Sequence, residues 1–266
     1  MTAVHELDQI APEGPMWVLR DTLAVTGRNL RRLLREPEVL FFSTVQPIIF
    51  VLLFRYVFGG AIHVPGLRYV DFLMPGIFVQ TTAFASTGSG VALADDLSKG
   101  IVDRFRSLPM ARSAVLAGRS VSDLLRMVFV VLVMVAVGLA VGLRFHAGFF
   151  AAVAAVALVV AFGFAFSWIS AWIGLSVKSV EAANLAGFVW LFPLTFASSA
   201  FAPLETMPGW LQAFARATPV TPTVDGVRAL VNGGATLRPV LTSLAWIVGI
   251  TAVFSTLAIR RYRRIS

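Results

Sequence analysis

Of the 266 residues 58% are hydrophobic and only 14% charged, which excludes an ordinary soluble domain, because so few polar residues could not cover so large an apolar core. The net charge of +8 would suit nucleic acid, but the excess lies in short stretches beside long apolar runs, so it reads as the positive side of a membrane protein and no nucleic-acid partner is expected. The absence of cysteine excludes disulfides, thiol nucleophiles and thiolate metal sites.

Residues 1–15 carry Glu6, Asp8 and Glu13 and contain no apolar core leading to a small-residue cleavage site, so they read as a retained, flexible cytoplasmic tail. Residues 16–37 follow as an amphipathic helix. With about 100° per residue, Arg28, Arg31, Arg32 and Arg35 share one side, and Leu19, Leu23, Leu30, Leu33 and Leu34 the other. Such a helix lies in the membrane interface, its basic face toward headgroups and its leucines in the acyl boundary. Pro37 then lets the chain turn into the membrane.

The body of the chain, 38–266, reads as an all-α membrane protein with six transmembrane helices at 39–58, 69–94, 124–143, 149–175, 182–202 and 240–259. A span of this kind needs roughly 20 residues, or about 30 Å of helix. Pro75 and Pro193 fall inside two spans and are tolerable where neighbours satisfy the carbonyls they free. The basic residues of 20–35, those between Lys99 and Arg126, Lys178, and the final Arg260, Arg261, Arg263 and Arg264 all fall on one side if both termini are cytoplasmic. An odd number of spans would separate the basic tails.

Two loops exceed a simple connection. Residues 95–119 form a densely charged cytoplasmic loop. Residues 203–238 are external and contain two short amphipathic stretches divided by Pro219 and Pro222, with Trp210, Leu211 and Phe214 on one face of the first and Val224, Val227, Leu230 and Val231 on one face of the second. The polar positions within the spans, Gln46, Thr81, Thr82, Ser86, Ser89 and Thr195, make up the candidate substrate path; hydroxyls on such a face more commonly serve helix packing. Gly138 and Gly142 form a small-xxx-small step in the third span and read as packing too.

No catalytic or metal site is expected. The only Lys–Gly pair, Lys99–Gly100, lacks the earlier glycine of a phosphate-cradling loop, so ATP hydrolysis by that route belongs elsewhere. Asp95–Asp96 is the single carboxylate pair, and only Asp103 lies near enough to join it in holding a cation. His5, His63 and His146 have no Ser or Asp partner at catalytic spacing. Arg55 and Asp71 sit toward outer helix ends, and no carboxylate falls at mid-membrane, which weighs against an ion-coupled secondary transporter. An intramembrane lipid-modifying enzyme built on Asp95 and Asp96 is the other alternative.

Four segments carry a family likeness in order along the chain: TVQPIIFVLLFRYVFGGA at 44–61, YVDFLMPGIFVQ at 69–80, GIVDRFRSLPMARSAVLAGR at 100–119, and SSAFAPLETMPGWLQAFARATPVTPTVDGVRALVNGG at 198–234. Together they resemble the permease (transmembrane) subunits of type-2 ABC exporters, in the daunorubicin-resistance-like branch. The resemblance implies six transmembrane helices behind an N-terminal amphipathic interface helix, with short re-entrant external helices between the fifth and sixth spans. It implies a coupling helix at about 95–110 that docks on the ATPase, carried here by Asp95, Asp96, Lys99, Gly100, Asp103, Arg104, Arg106, Leu108 and Pro109. It implies an external gate in 203–238, represented by Glu205, Pro208, Trp210, Phe214, Pro219 and Arg228, and a charged surface position at Glu181. It further implies a multi-pass protein of the cell membrane whose partners are two copies of an ABC ATPase, which hold the ATP and Mg, and a second permease chain, the same or paralogous. The implied cargo is an amphiphilic substrate such as a drug, antibiotic or glycolipid, moved through membrane lipid.

Overall fold

The fold is a computed structural model that describes residues 20, 26–27, 45, 47–58, 66–100 and 112–265, with backbone alone for 112–117, 263 and 265. The tail at 1–15, most of the interface helix at 16–37, Gln46 and the loop residues 101–111 lie outside the described residues. Every described element is helical. α1 begins at Pro47 and runs on into a π-helix over Leu53–Phe58. α2 is Tyr69–Ser98, α3 Arg112–Val141, α4 Phe149–Gly174 and α5 Val180–Phe196. A 3-10 turn at Leu204–Thr206 leads to α6, Gly209–Arg216, and α7, Val220–Asn232; α8 is Leu237–Ile265.

Among the described residues, three helices are long and apolar enough to cross a membrane: Gly118–Val141, Phe149–Gly174 and Leu237–Tyr262, with mean hydropathies of 2.8, 2.6 and 1.9. α2 is longer than a span requires, at 30 residues, yet its carboxylates and hydroxyls keep it out of that group. It is nevertheless the central helix. α3, α4, α5 and α7 pack around it, and α8 packs on α4 and α7. A long helix too polar to count as an apolar span is thus wrapped in protein, while α8, which carries no Asp or Glu, leaves most of its apolar surface facing outward. A polar helix surface is cheap only where other helices cover it.

Pro75 lies inside α2 and has no N–H for the Asp71 carbonyl. The Asn232 amide donates to that carbonyl at 2.9 Å, so a neighbour on α7 closes the gap. Replacing Asn232 with leucine is expected to lower stability by about 1–3 kcal/mol, through a buried carbonyl left unpaired. Thermal denaturation in detergent would measure it, and an unchanged midpoint would show that the carbonyl finds another donor.

Three boundaries differ from the sequence expectation, each for a local reason. α3 stops at Val141 because Gly142 takes φ +103°, a conformation that favours glycine. Gly138 packs as expected, with Met74, Leu143 and Phe78 at 3.0–3.3 Å from where a Cβ would stand. Gly142 instead terminates the helix, so the two glycines are not one packing stripe. α5 ends at Phe196, not 202, three residues beyond Pro193. Ser198, Ser199 and Ala200 leave the helix and are buried against α2 and α7. At Gly76 a Cβ would collide with the Ala200 carbonyl, so only glycine admits this crossing. Pro219 divides α6 from α7, whereas Pro222 sits inside the first turn of α7, where its missing N–H costs nothing.

Candidate functional site

α6 and α7 close one end of the bundle, the cap; the C-terminus of α2 and the N-terminus of α3 meet at the other, the base. Sequence-derived candidates fall at both ends and in the seam between α2 and α4.

At the cap, Arg228 is the hub. Its guanidinium pairs with Asp225 at 2.9 Å, donates to the Ser199 carbonyl at 2.7 Å and the Phe72 carbonyl at 3.2 Å, and lies 3.8 Å over the Phe72 ring. The Ser199 hydroxyl donates to Asp225 at 2.8 Å. One side chain therefore joins α7 to the start of α2 and to the end of the α5 extension. Burial lowers Arg228 to about 10, with Asp225 opposing that fall, so the guanidinium stays charged at neutral pH. Burial raises the Asp225 carboxyl, while Arg228 and the Ser199 hydroxyl pull it down and Glu205 pushes it up. Alongside, Arg68 grips Asp71 at 2.7 and 3.1 Å and donates to the Gly142 carbonyl at 3.3 Å, tying α2 to the end of α3. Of the other residues expected at this gate, Pro219 is buried, whereas Glu205, Pro208, Trp210 and Phe214 are exposed. Val224, Val227 and Val231 form the buried face of α7, as their spacing predicts.

Thr81, Thr82, Ser86 and Ser89 on α2 are all buried, and so is Thr195 on α5. Thr82 donates to the Phe78 carbonyl, Ser86 to Ala83 at 2.6 Å and Thr195 to Leu191 at 2.8 Å, so these hydroxyls are satisfied by their own helices. The Ser86 and Ser170 hydroxyls meet at 3.5 Å, and Gly163 faces Thr82. At Gly90 a Cβ would strike the Ser170 carbonyl, and at Gly174 it would strike the Gly90 carbonyl. α2 and α4 thus touch backbone to backbone. The α4 half of this contact escaped the sequence reading, although Gly163, Ser167, Ser170 and Gly174 recur at helical spacing on one face.

At the base, Asp95 pairs with Lys99 at 2.8 Å and Asp96 with Arg119 at 2.7 Å. Lys99 is exposed, but the Asp96 and Arg119 side chains are only 11% and 14% exposed, so theirs is a buried ion pair. Both carboxylates expected to form an acidic pair are therefore turned to cations of the protein itself. Arg119 also donates to the Ser89 carbonyl at 3.3 Å, and Arg126 to the Ser89 hydroxyl at 3.5 Å. Gly100 follows α2 with φ +64°. Thr26 donates to the Gly118 carbonyl at 3.1 Å, which places that part of 16–37 beside α3. Arg119 and Arg126 were read from sequence only as contributors to charge bias; nothing in their spacing identified Ser89 as their common partner. Asp103, Arg104, Arg106, Leu108 and Pro109 lie outside the described residues.

Comparison with known proteins adds a family. A profile described as ABC-2 type transporter matches residues 20–232. The chain is 36% identical over 242 residues to the daunorubicin resistance ABC transporter permease protein DrrB1 of Streptomyces coeruleorubidus, covering 91% of this chain and 86% of that protein. It is 27% identical over 249 residues to the probable doxorubicin resistance ABC transporter permease protein DrrC of Mycobacterium tuberculosis, covering 92% of this chain and 89% of that one.

Proposed function

The chain belongs to the ABC-2 type transporter family, and from that membership we propose that it is the permease subunit of an exporter that moves an amphiphilic or lipid-like substrate, such as a drug, antibiotic or glycolipid, across the cell membrane. A separate ATPase, present in two copies, binds ATP and Mg and supplies the energy. A second permease chain, the same or a paralogue, completes the assembly. In this reading α1, α2, α3, α4, α5 and α8 are the six spans, residues 16–37 lie in the membrane interface, and both termini are cytoplasmic. The base then faces the cytoplasm and the cap faces outward, with α6 and α7 as re-entrant helices.

The observation that carries the reading is the division of labour between the two ends. α7 is clamped at the cap by Arg228, with α6 packed against it, where a gate would stand. The coupling segment proposed at 95–110 begins in the last turn of α2, at the opposite end, beside a buried ion pair able to transmit a push. The hydroxyls of Thr81, Thr82, Ser86, Ser89 and Thr195, with Gln46, remain the proposed path between those ends. The drug-resistance names of the relatives support an amphiphilic cargo.

The test is reconstitution with the ATPase in vesicles, using daunorubicin as the probe. Uptake should require ATP and a catalytically intact ATPase. Reversing the charges of Asp103 and Arg104 together should reduce uptake about 10-fold or more while the two proteins still co-purify, because charge pairs set the register between subunits. Uptake by the permease without ATPase or nucleotide would refute the exporter reading.

A further inference from the structure

We infer that Gly88, Ser89 and Gly90 of α2 form the node through which movement of the α2–α3 loop reaches α4, with Arg119 and Arg126 as the positioning residues. This rests on the reading of 95–110 as the coupling element. Three consecutive residues of one helix here contact two different neighbours. On the α3 side, the Ser89 carbonyl accepts from Arg119 and its hydroxyl from Arg126. Gly88 leaves the space that the Arg126 guanidinium fills, since a Cβ there would stand 2.8 Å from Nη1. On the α4 side, Gly90 touches the Ser170 backbone and offers its own carbonyl to the surface of Gly174.

Arg119 binds both Ser89 and Asp96, which stand two helical turns apart on α2, the second of them just before the loop begins. A displacement of the loop that shifts Asp96 pulls on the same guanidinium that holds Ser89. Ser89 cannot move without Gly90, and Gly90 has no side chain to absorb the motion before it meets α4. Close-packed backbones transmit such a shift because they do not deform continuously. The present arrangement also leaves Arg119 Nε buried without an acceptor. Buried donors of this kind are normally satisfied, so a rotated guanidinium that brings Nε to an acceptor is a natural second position.

The experiment uses the permease–ATPase complex in vesicles with daunorubicin as probe. Arg119→Gln should lower transport per ATP hydrolysed about 10-fold while ATP hydrolysis stays within about twofold of wild type, and Arg119→Lys should recover part of the loss, since residues on such coupling routes change efficiency rather than assembly. Gly88→Ala displaces only the flexible end of Arg126 and should lower the same ratio about threefold, with no loss of thermal stability. Should Arg119→Gln fail to assemble, Gly88→Ala decides. Hydrogen exchange gives a readout independent of cargo: ATP binding should change protection around 168–176 in wild type, and both variants should suppress the change. A wild-type transport ratio and a wild-type exchange response in the assembled variants would overturn the node. A wild-type complex whose exchange and transport ignore ATP would instead overturn the exporter function beneath it.

Discussion

Gly90→Leu is expected to abolish the native packing of α2 on α4, and even Gly90→Ala should cost about 1–3 kcal/mol or more. The reason is the identity of the atom in the way. A Cβ at Gly90 meets the Ser170 carbonyl, which is backbone and cannot rotate aside, and Gly174 presents the reciprocal collision with the Gly90 carbonyl. Both helices would have to separate along their whole contact, loosening the Ser86–Ser170 and Thr82–Gly163 approaches as they did so. In lipid this contact has no hydrophobic force to restore it, because acyl chains are as apolar as the side chains they replace. Thermal denaturation in detergent reads the loss, with Gly249→Ala as control: that α8 glycine has open space around it, so alanine should be neutral or slightly stabilising. A Gly90→Ala protein as stable as the Gly249→Ala protein would mean that α2 and α4 do not approach so closely.

Arg228→Leu is expected to destabilise the cap by about 2–4 kcal/mol, because one substitution leaves several acceptors unpaired. The Ser199 and Phe72 carbonyls each lose a charged donor, the Phe72 ring loses its cation, and Asp225 keeps a carboxylate in a partly buried site. Asp225 is 39% exposed, which keeps the penalty below that of a fully enclosed charge. Arg228→Lys should recover less than half of the loss: a single ammonium cannot reach an acid and two carbonyls arranged around a planar fork. Limited proteolysis of the segment 203–236 should follow the same order, with leucine cut fastest and arginine slowest. Equal protection in all three proteins would mean that valine burial alone holds α7 in place.

The cap and the base differ in how visibly they were written. Arg228 entered the sequence reading only as part of the gate that the family resemblance implies; Asp225 is three positions from it, but its carbonyl partners are 156 and 29 positions away along the chain. Asp96 stood out as half of a carboxylate pair, and its true partner, Arg119, looked like one more positive charge beside a membrane. In both cases a charged residue was legible and its long-range partner was not, a carbonyl for Arg228 and a cation for Asp96, since charge alone carries no information about distance in space.

Apolar run length determined, without any coordinates, that the chain is helical and suited to lipid. It also placed the start of α2, nearly all of α4 and the buried face of α7, because hydrophobic period and span length are properties of neighbouring residues. Proline and glycine were harder to read. Pro193 falls inside α5, as its run predicts, whereas Pro222 sits in the first turn of a helix where it was expected to divide two, because a proline's effect depends on where in the helix it falls. Gly138 and Gly142 share a spacing but not a job, since one φ value separates them. Only the tertiary structure decided that α2, a long helix too polar to count as an apolar span, belongs in the centre. Hydroxyls and carboxylates lower the apolarity of α2, and that chemistry is compatible with a bundle interior because Thr82 and Ser86 bond within their own helix, Arg68 and Arg119 pair with Asp71 and Asp96, and Arg228 and Asn232 donate to the carbonyls of Phe72 and Asp71.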